Sequence, residues 1–290
     1  MEINTKKVVS EWKQELKNTV ERLVSTPTLE IIVADGYSEA STKYVNNKVK
    51  LAEELGIEVI LTKIQWEGRS REDLLAELRN EIKDSSQTTD IHGIIVQLPF
   101  PHVSEKEIAR MLPAEKDVDG FTNEQNRLLI DGDKKALVPC TAKGVMKLIK
   151  AVEGNNLKGK SISIVNRSNL IGMPLFYLAL QENMTPTICH SKTEFIYTHF
   201  RNSDIIVTGC GQRGIYKSSY FPFNPTIIDC STTPVEGKKG VGDCDKEEIL
   251  LNKPGIKIAS GYGHTGPMTV CALMDNVIQA YLQQGGRECF

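Results

Sequence analysis

The chain has 290 residues, 40% of them hydrophobic, enough for two ordinary domains with a core each, which excludes a disordered or fibrous protein. Thirty-five basic residues against 37 acidic ones leave a formal charge of −2 with no Lys/Arg block, so nucleic acid is not expected as a partner. No stretch approaches the ~18 apolar residues of a membrane span, and the charged start MEINTKKVVSEWKQ lacks the apolar run of a signal peptide, which points to a soluble, cytoplasmic protein without membrane contact. Val8, Trp12, Leu16, Val20 and Leu23 recur at helical spacing, and the short apolar run 29–34 reads as a buried strand. Residues 41–55, ended by Gly56, form a second helix, and 58–62 a second strand. Ser70 with Asp73 and Ser104 with Glu107 have capping-box spacing, and between them GIIVQLP carries a third strand. From 113 to about 138 the chain reads as a loop, after which Thr141 caps a helix running to Glu153. The polar stretch GNNLKGK at 154–160 is a candidate hinge region. Then come the strand Ser161–Val165, a turn, a helix with Pro174 in its first turn, and the strands TPTIC, SDIIV, PTIID and IKIA. Short strands alternating with helices imply a doubly wound parallel sheet. The last helix, from about Met268 to Gln284, carries apolar Val270, Ala272, Leu273, Val277, Ile278 and Tyr281.

Seven cysteines, at 140, 189, 210, 230, 244, 271 and 289, include no C-x-x-C pair, so neither a disulfide framework nor a metal site is expected. Five sit in or beside apolar runs, where a reduced thiol packs as a small hydrophobe, and Cys289 in the GGRECF tail is expected to be exposed.

Three places concentrate chemistry. The turn N-R-S-N-L-I-G-M-P after SISIV differs from G-x-G-x-x-G, yet it joins a buried strand to a helix N-terminus, where free N–H groups and the dipole favour a phosphate. C-H-S-K-T at the end of the next strand offers no acidic group for a ribose 2′-OH, whereas Arg167, His190, Ser191 and Lys192 suit a 2′-phosphate, which tilts the cofactor to NADP with NAD as the alternative. Ser41, Tyr44 and Lys48 share one helix face, Gln97 breaks an apolar strand just before a proline, and Asp119 sits in a loop between Val118 and Phe121. Each alone has a plain structural explanation: a solvated lysine, a paired amide, a loop cap.

The series Y-V-N-N-K at 44–48, G-I-I-V-Q-L-P-F-P at 93–101 and K-D-V-D-G-F at 116–121, followed by P-C-T at 139–141, R-S at 167–168, C-H-S-K-T at 189–193 and G-P-M-T at 266–269, resembles the methylenetetrahydrofolate dehydrogenase/cyclohydrolase family over essentially the whole chain. The resemblance implies an α/β protein of two domains: a catalytic domain of residues 1–139 with the C-terminal helix 270–290, and a Rossmann-like dinucleotide domain of residues 140–269, with an active-site cleft between them. It implies oxidation of 5,10-methylenetetrahydrofolate with NADP, then hydrolysis to 10-formyltetrahydrofolate, by a homodimer. Lys48, Gln97, Tyr44 and Asp119 are then the catalytic set, with Ser41, Leu98, Pro99, Gly266 and Pro267 also lining the folate. Thr141, Asn166, Arg167, Ser168, His190, Ser191, Cys210, Gly211, Thr232 and Thr269 would hold the dinucleotide. Departures cluster in the second half: Ala142 after P-C-T, Asn166 where the family has glycine, D-C-S-T-T from Asp229, and S-G-Y-G-H-T before G-P-M-T. These leave open a member with one activity or an NAD preference, a different two-domain dehydrogenase, or a protein that only binds.

Overall fold

The computed structural model describes the whole chain except Pro222, Glu236, Gly237 and Phe290, and the backbone alone at Ala40, Lys238 and Lys239. It comprises two compact units: residues 12–140 with 270–290, and residues 1–11 with 141–269.

The first unit is built on three parallel strands. α1 (Thr5–Val20), which belongs to this unit from Trp12 on, turns Trp12 and Leu16 inward, each 4% exposed, and stops before Leu23, which instead bridges to Glu288. β1 (Thr28–Ala34) follows, with Leu29, Ile31 and Ile32 fully buried. α2 (Glu39–Leu55) starts two residues before the position expected, because Ser38 serves as its cap and accepts from the Ser41 N–H; Gly56, at φ 80°, closes it as a left-handed C-cap. β2 (Glu58–Ile64), α3 (Arg71–Gln87) and β3 (Gly93–Val96) complete the alternation, and the order β2-β1-β3 makes β1 central. The Ser104–Glu107 capping box is reciprocal and opens α4 (Glu105–Met111), whereas at Ser70 the Asp73 carboxylate accepts from the serine hydroxyl rather than from the cap N–H. The expected loop at 113–138 contains a helix, α5 (Asn123–Asp131), between the Thr122 cap and Gly132 at φ 71°. Its polar face hides the periodic signal, and its anchor is a buried amide: Gln125 donates to Ala114 O at 2.6 Å and accepts from Leu137 N at 2.7 Å.

The second unit carries five parallel strands. α6 (Cys140–Glu153) begins at Cys140, so Thr141 lies in its first turn and is not its cap. β4 (Ser161–Val165), α7 (Gly172–Gln181), β5 (Thr185–Cys189), α8 (Ile196–Arg201), β6 (Ile205–Thr208) and β7 (Thr226–Asp229) follow. A hairpin of β8 (Thr233–Val235) and β9 (Lys238–Val241), too short to show a period, precedes α9 (Lys246–Asn252), β10 (Lys257–Ala259) and α10 (Thr265–Gln283). The order β10-β7-β6-β4-β5 is doubly wound, and its direction of winding reverses between β4 and β6. Residues 1–11, which the sequence reading grouped with the first domain, cluster here: Ile3 N donates to Ile258 O at 2.8 Å and Ile258 N to Met1 O at 3.0 Å, alongside β10. The stretch 154–160 is no hinge, since it lies inside this unit with Leu157 1% exposed.

At the N-terminal ends of these strands Glu153 gathers β4, β7 and β10. Its carboxylate accepts from Lys160 at 2.8 Å, Thr226 at 2.6 Å and Lys257 at 3.0 Å. Burial alone would raise this carboxyl, but those three donors hold it down to about 2. Because the folded value lies below the unfolded one, its contribution is complete above about pH 4.5 and is lost as pH falls toward 2. Glu153→Gln is expected to cost about 1–3 kcal/mol at pH 7 in urea unfolding, with the two proteins converging in acid; a constant difference across that range would refute the charge-based account.

Candidate active site

Parallel pairing of β1 with β3 in the register Leu29↔Gly93 brings the chain after β3 beside α2, the helix that follows β1. Lys48 is 5% exposed, and its Nζ donates to Gln97 Oε1 at 2.9 Å while standing over the Tyr44 ring at 5.0 Å from the centroid. Gln97 Nε2 donates to Leu98 O at 2.6 Å, and Ser41 Oγ to the same oxygen at 3.3 Å. Ser41, Tyr44, Lys48, Gln97 and Leu98 therefore form one connected group; the Leu98–Pro99 peptide is cis, and Pro99 is exposed. Burial lowers the Lys48 pKa, and the nearby Asp119 and Cys140 oppose it. An ammonium that is buried, oriented by one amide and poised toward its neutral form can carry a proton in either direction.

Asp119 is half-buried on a loop that its neighbours hold rigid. Asp117, fully buried, accepts from Gly120 N at 2.9 Å and Thr122 N at 2.7 Å, and burial pushes it up to about 6 against those bonds. Gly120 is required there: its φ is 76°, and a Cβ would lie 2.2 Å from Leu137 O. From α10 the fully buried Asn276 donates at 2.8 Å to both Val118 O and Val138 O, and lies 3.6 Å from Cys140 Sγ, which itself donates to Val118 O at 3.3 Å. Neither Asp117 nor Asn276 was singled out from sequence, although an asparagine inside the apolar run VCALMDNVI is the kind of polar break that signals a buried partner.

In the five-stranded unit the expected dinucleotide residues follow the C-terminal ends of the strands. The register Val165↔Cys189 makes Asn166–Ser168 and His190–Ser191 leave the sheet side by side. Asn166 occupies the point where the winding reverses. Its Oδ1 accepts from Ser168 N at 2.8 Å and Gly172 N at 3.1 Å, and its Nδ2 donates to Gly209 O at 2.6 Å, across to the chain that leaves β6. A Cβ on Gly172 would lie 2.0 Å from Asn166 O, so the tight turn into α7 needs that glycine. Arg167 is exposed and makes no hydrogen bond or ion pair among the described residues. The C-H-S-K-T turn is closed by His190 N donating to Thr193 Oγ1 at 2.9 Å and by Lys192 N donating to His190 Nδ1 at 3.1 Å.

Two buried carboxylates organise the rest of this edge. Asp243 accepts from Cys210 N and Gln212 N, each at 2.7 Å, and Asp229 from Cys244 N at 2.8 Å and Ser260 Oγ at 2.6 Å. Burial raises the Asp229 pKa, against those donors. Gly211 N donates to Ser231 Oγ at 3.0 Å, and Thr232 is exposed beside it. Thr269 Oγ1 reaches Thr141 Oγ1 at 3.4 Å, so those two residues meet, and Gly266 and Pro267 lie in the first turn of α10, in this unit rather than in the one holding Lys48. Cys140, Cys189, Cys244 and Cys271 are buried as expected and Cys230 partly so; Cys210 is exposed but engaged by Asp243, and burial first, then that carboxylate, push its thiol up to about 12. Among the described residues no group of His, Cys, Asp and Glu could hold a metal, and no helix is long and apolar enough to cross a membrane.

Residues 3–119 match the profile of the tetrahydrofolate dehydrogenase/cyclohydrolase catalytic domain, and residues 139–285 that of the tetrahydrofolate dehydrogenase/cyclohydrolase NAD(P)-binding domain. The Bifunctional protein FolD of Wolbachia sp. subsp. Drosophila simulans (strain wRi) is 37% identical over 289 residues, covering 98% of this chain and 96% of its own. The solved bifunctional methylenetetrahydrofolate dehydrogenase/cyclohydrolase of Campylobacter jejuni is similar with a TM-score of 0.88 at 31% identity, over 98% of this chain and 99% of its own. The Trypanosoma brucei enzyme, solved with NADP and an inhibitor, reaches 0.84 at 27% identity, over 98% and 97%.

Lys48 also makes a stability prediction. Its folded pKa lies below the unfolded one, so the unfolded state binds more protons between the two, and stability gains from this group as pH rises toward about 10.4. Lys48→Met, which removes the buried charge at similar volume, is expected to melt no lower than wild type at pH 7, and the difference should shift toward wild type on raising the pH to 10. A variant that melts well below wild type at pH 7 would contradict this.

Proposed function

The chain belongs to the tetrahydrofolate dehydrogenase/cyclohydrolase family, and on that premise we propose that Lys48 is its proton-transfer group, that the three-stranded unit holds the folate and that the five-stranded unit holds the dinucleotide. The enzyme oxidises 5,10-methylenetetrahydrofolate to the methenyl form with NADP and hydrolyses that product to 10-formyltetrahydrofolate. The observation that carries the assignment of Lys48 is its bond to Gln97 in a nearly closed environment.

The first reaction asks the protein for position. Tyr44 offers a ring face to the folate, and Asp119, an acceptor only, matches the paired N–H donors of an amino-pyrimidine edge. Holding donor and acceptor carbons close and aligned removes much of the barrier, and no protein base is needed. NADP, when bound, supplies the nicotinamide carbon that accepts the hydride. The second reaction adds water to a cation and then moves protons. Lys48, pushed toward its neutral form by burial and facing a cationic substrate, takes a proton from the attacking water and returns one to the departing nitrogen, while Gln97 keeps Nζ in place.

The donor set fits a phosphorylated dinucleotide. The turn held by Asn166 presents a helix N-terminus, and the free guanidinium of Arg167 stands next to the His190–Ser191–Lys192 turn, where a 2′-phosphate would find charge-assisted donors. We also place the enzyme in the cytoplasm as a homodimer, a reading supported by family resemblance; a monomer in sedimentation at micromolar concentration would remove the dimer.

Lys48→Met is expected to lower methenyl hydrolysis by at least about a hundredfold while NADP binding persists and dehydrogenase loss is partial. Hydrolysis at the wild-type rate would take Lys48 out of the mechanism. Arg167→Ala should raise the KM for NADP at least about tenfold, equivalent to about 1.4 kcal/mol, and leave that for NAD nearly unchanged; equal losses with both would contradict the 2′-phosphate role.

A further inference from the structure

The segment S-G-Y-G-H-T at 260–265, which departs from the family's usual pattern, leaves the C-terminal end of β10 and leads into α10. Two glycines at positive φ, Gly261 at 84° and Gly263 at 89°, flank Tyr262, so its backbone takes conformations that other residues rarely adopt. Three ties hold it. Ser260 Oγ donates to Asp229 at 2.6 Å, and Tyr262 N donates to Gly240 O on the hairpin at 3.0 Å. The third tie is His264, whose side chain is 12% exposed and bonded through both ring nitrogens to the start of the chain: Nδ1 lies 2.9 Å from Thr5 Oγ1 and Nε2 3.2 Å from Glu2 Oε1, which also accepts from Lys246 Nζ at 2.8 Å. A neutral ring with its hydrogen on Nε2 satisfies all of these partners, the Thr5 hydroxyl donating to Nδ1. Thr5 is 2% exposed, so its hydroxyl needs a partner, and the ring, at 2.9 Å, is a closer one than Ile3 O at 3.5 Å.

In a doubly wound sheet an extended ligand lies across the C-terminal ends of the strands, centred where the winding reverses. Arg167 and His190 mark the β4–β5 side of that point as the end holding the adenosine phosphate, so the other half of the dinucleotide runs over β6 and β7 toward β10. Resting on that reading of the cofactor site, we propose that His264 is a positioning residue for the nicotinamide half of the dinucleotide, its ring fastening the 260–264 loop to Thr5 and Glu2 of the amino-terminal segment. The segment 1–11 thereby acts in cofactor binding through this histidine, with no contact of its own to the ligand required. Because the loop lies away from the 2′-phosphate, its loosening affects NAD and NADP alike, unlike the loss of Arg167.

The test is binding of NAD and of NADP to the full chain by calorimetry, for wild type, His264→Ala, Thr5→Val and the double variant, with a melting curve for each. Both single variants are expected to weaken both dinucleotides by a similar factor, about three- to tenfold, the scale of one hydrogen bond, and the double variant to be no weaker than His264→Ala alone. Thr5→Val keeps volume and removes only the hydroxyl, so it stands if His264→Ala fails to fold. Unchanged dissociation constants with lowered melting temperatures would reduce the contact to a structural brace and overturn the proposal, as would a loss confined to NADP. A wild-type chain that binds neither dinucleotide would overturn the cofactor reading beneath it and the proposal together.

Discussion

Parallel strand pairing is the constraint on which this molecule rests. Each connection must cross back over its sheet, so residues that follow the strands emerge along one edge, and those that precede them along the other. In the three-stranded unit that edge receives Gln97 after β3 and, by way of α2, Lys48. In the five-stranded unit it receives Asn166, His190, Cys210, Ser231 and Ser260, one after each strand of the sheet. The opposite edge is given to stability, with Glu153 joining three strands by a shared carboxylate. Chemistry and cohesion are thus separated by strand polarity.

Charge is handled differently in the two units. Lys48 and Asp117 are buried ionisable groups, and burial pushes each toward its neutral form against the partners around it. At the C-terminal edge of the five-stranded sheet, Asp229 and Asp243 are buried close enough to interact, Asp229 held by backbone and hydroxyl donors and Asp243 by backbone N–H groups and the Cys210 thiol. Those donors come from the loops after β6, β7 and β10 and from the segment 242–244, so the carboxylates set the spacing of these loops. Gly242 has no room for a side chain, since a Cβ there would lie 2.1 Å from Asp229 Oδ2.

What the sequence revealed was what is local. α2 was legible because its periodic face ends at Gly56, and β1 because the short apolar run 29–34 has few alternatives; the motif series singled out Lys48, Gln97 and Asp119 because a run of weak matches in fixed order is rarely accidental. α5 escaped notice because nine mostly polar residues present little period, and the β8–β9 hairpin because its strands have three and four. The partners of Asn276 and His264 were out of reach for another reason: they lie 136 or more residues away, and no spacing rule connects such pairs. The same limit hid the attachment of Met1 and Ile3 to Ile258.

Neither unit is a continuous stretch of chain: one needs residues 270–290, the other residues 1–11. Asn276, Tyr281 and Gln284, which bond to Val118, Ser25 and His92, leave the ribosome well after the residues they hold. During vectorial synthesis residues 12–140 must therefore wait for the closing helix, with part of their apolar surface uncovered, and the five-stranded unit must draw in residues 1–11, made before the whole stretch 12–140. Folding of residues 12–140 is gated by the synthesis of α10, and a nascent chain stalled short of that helix is the form most exposed to chaperones and to aggregation.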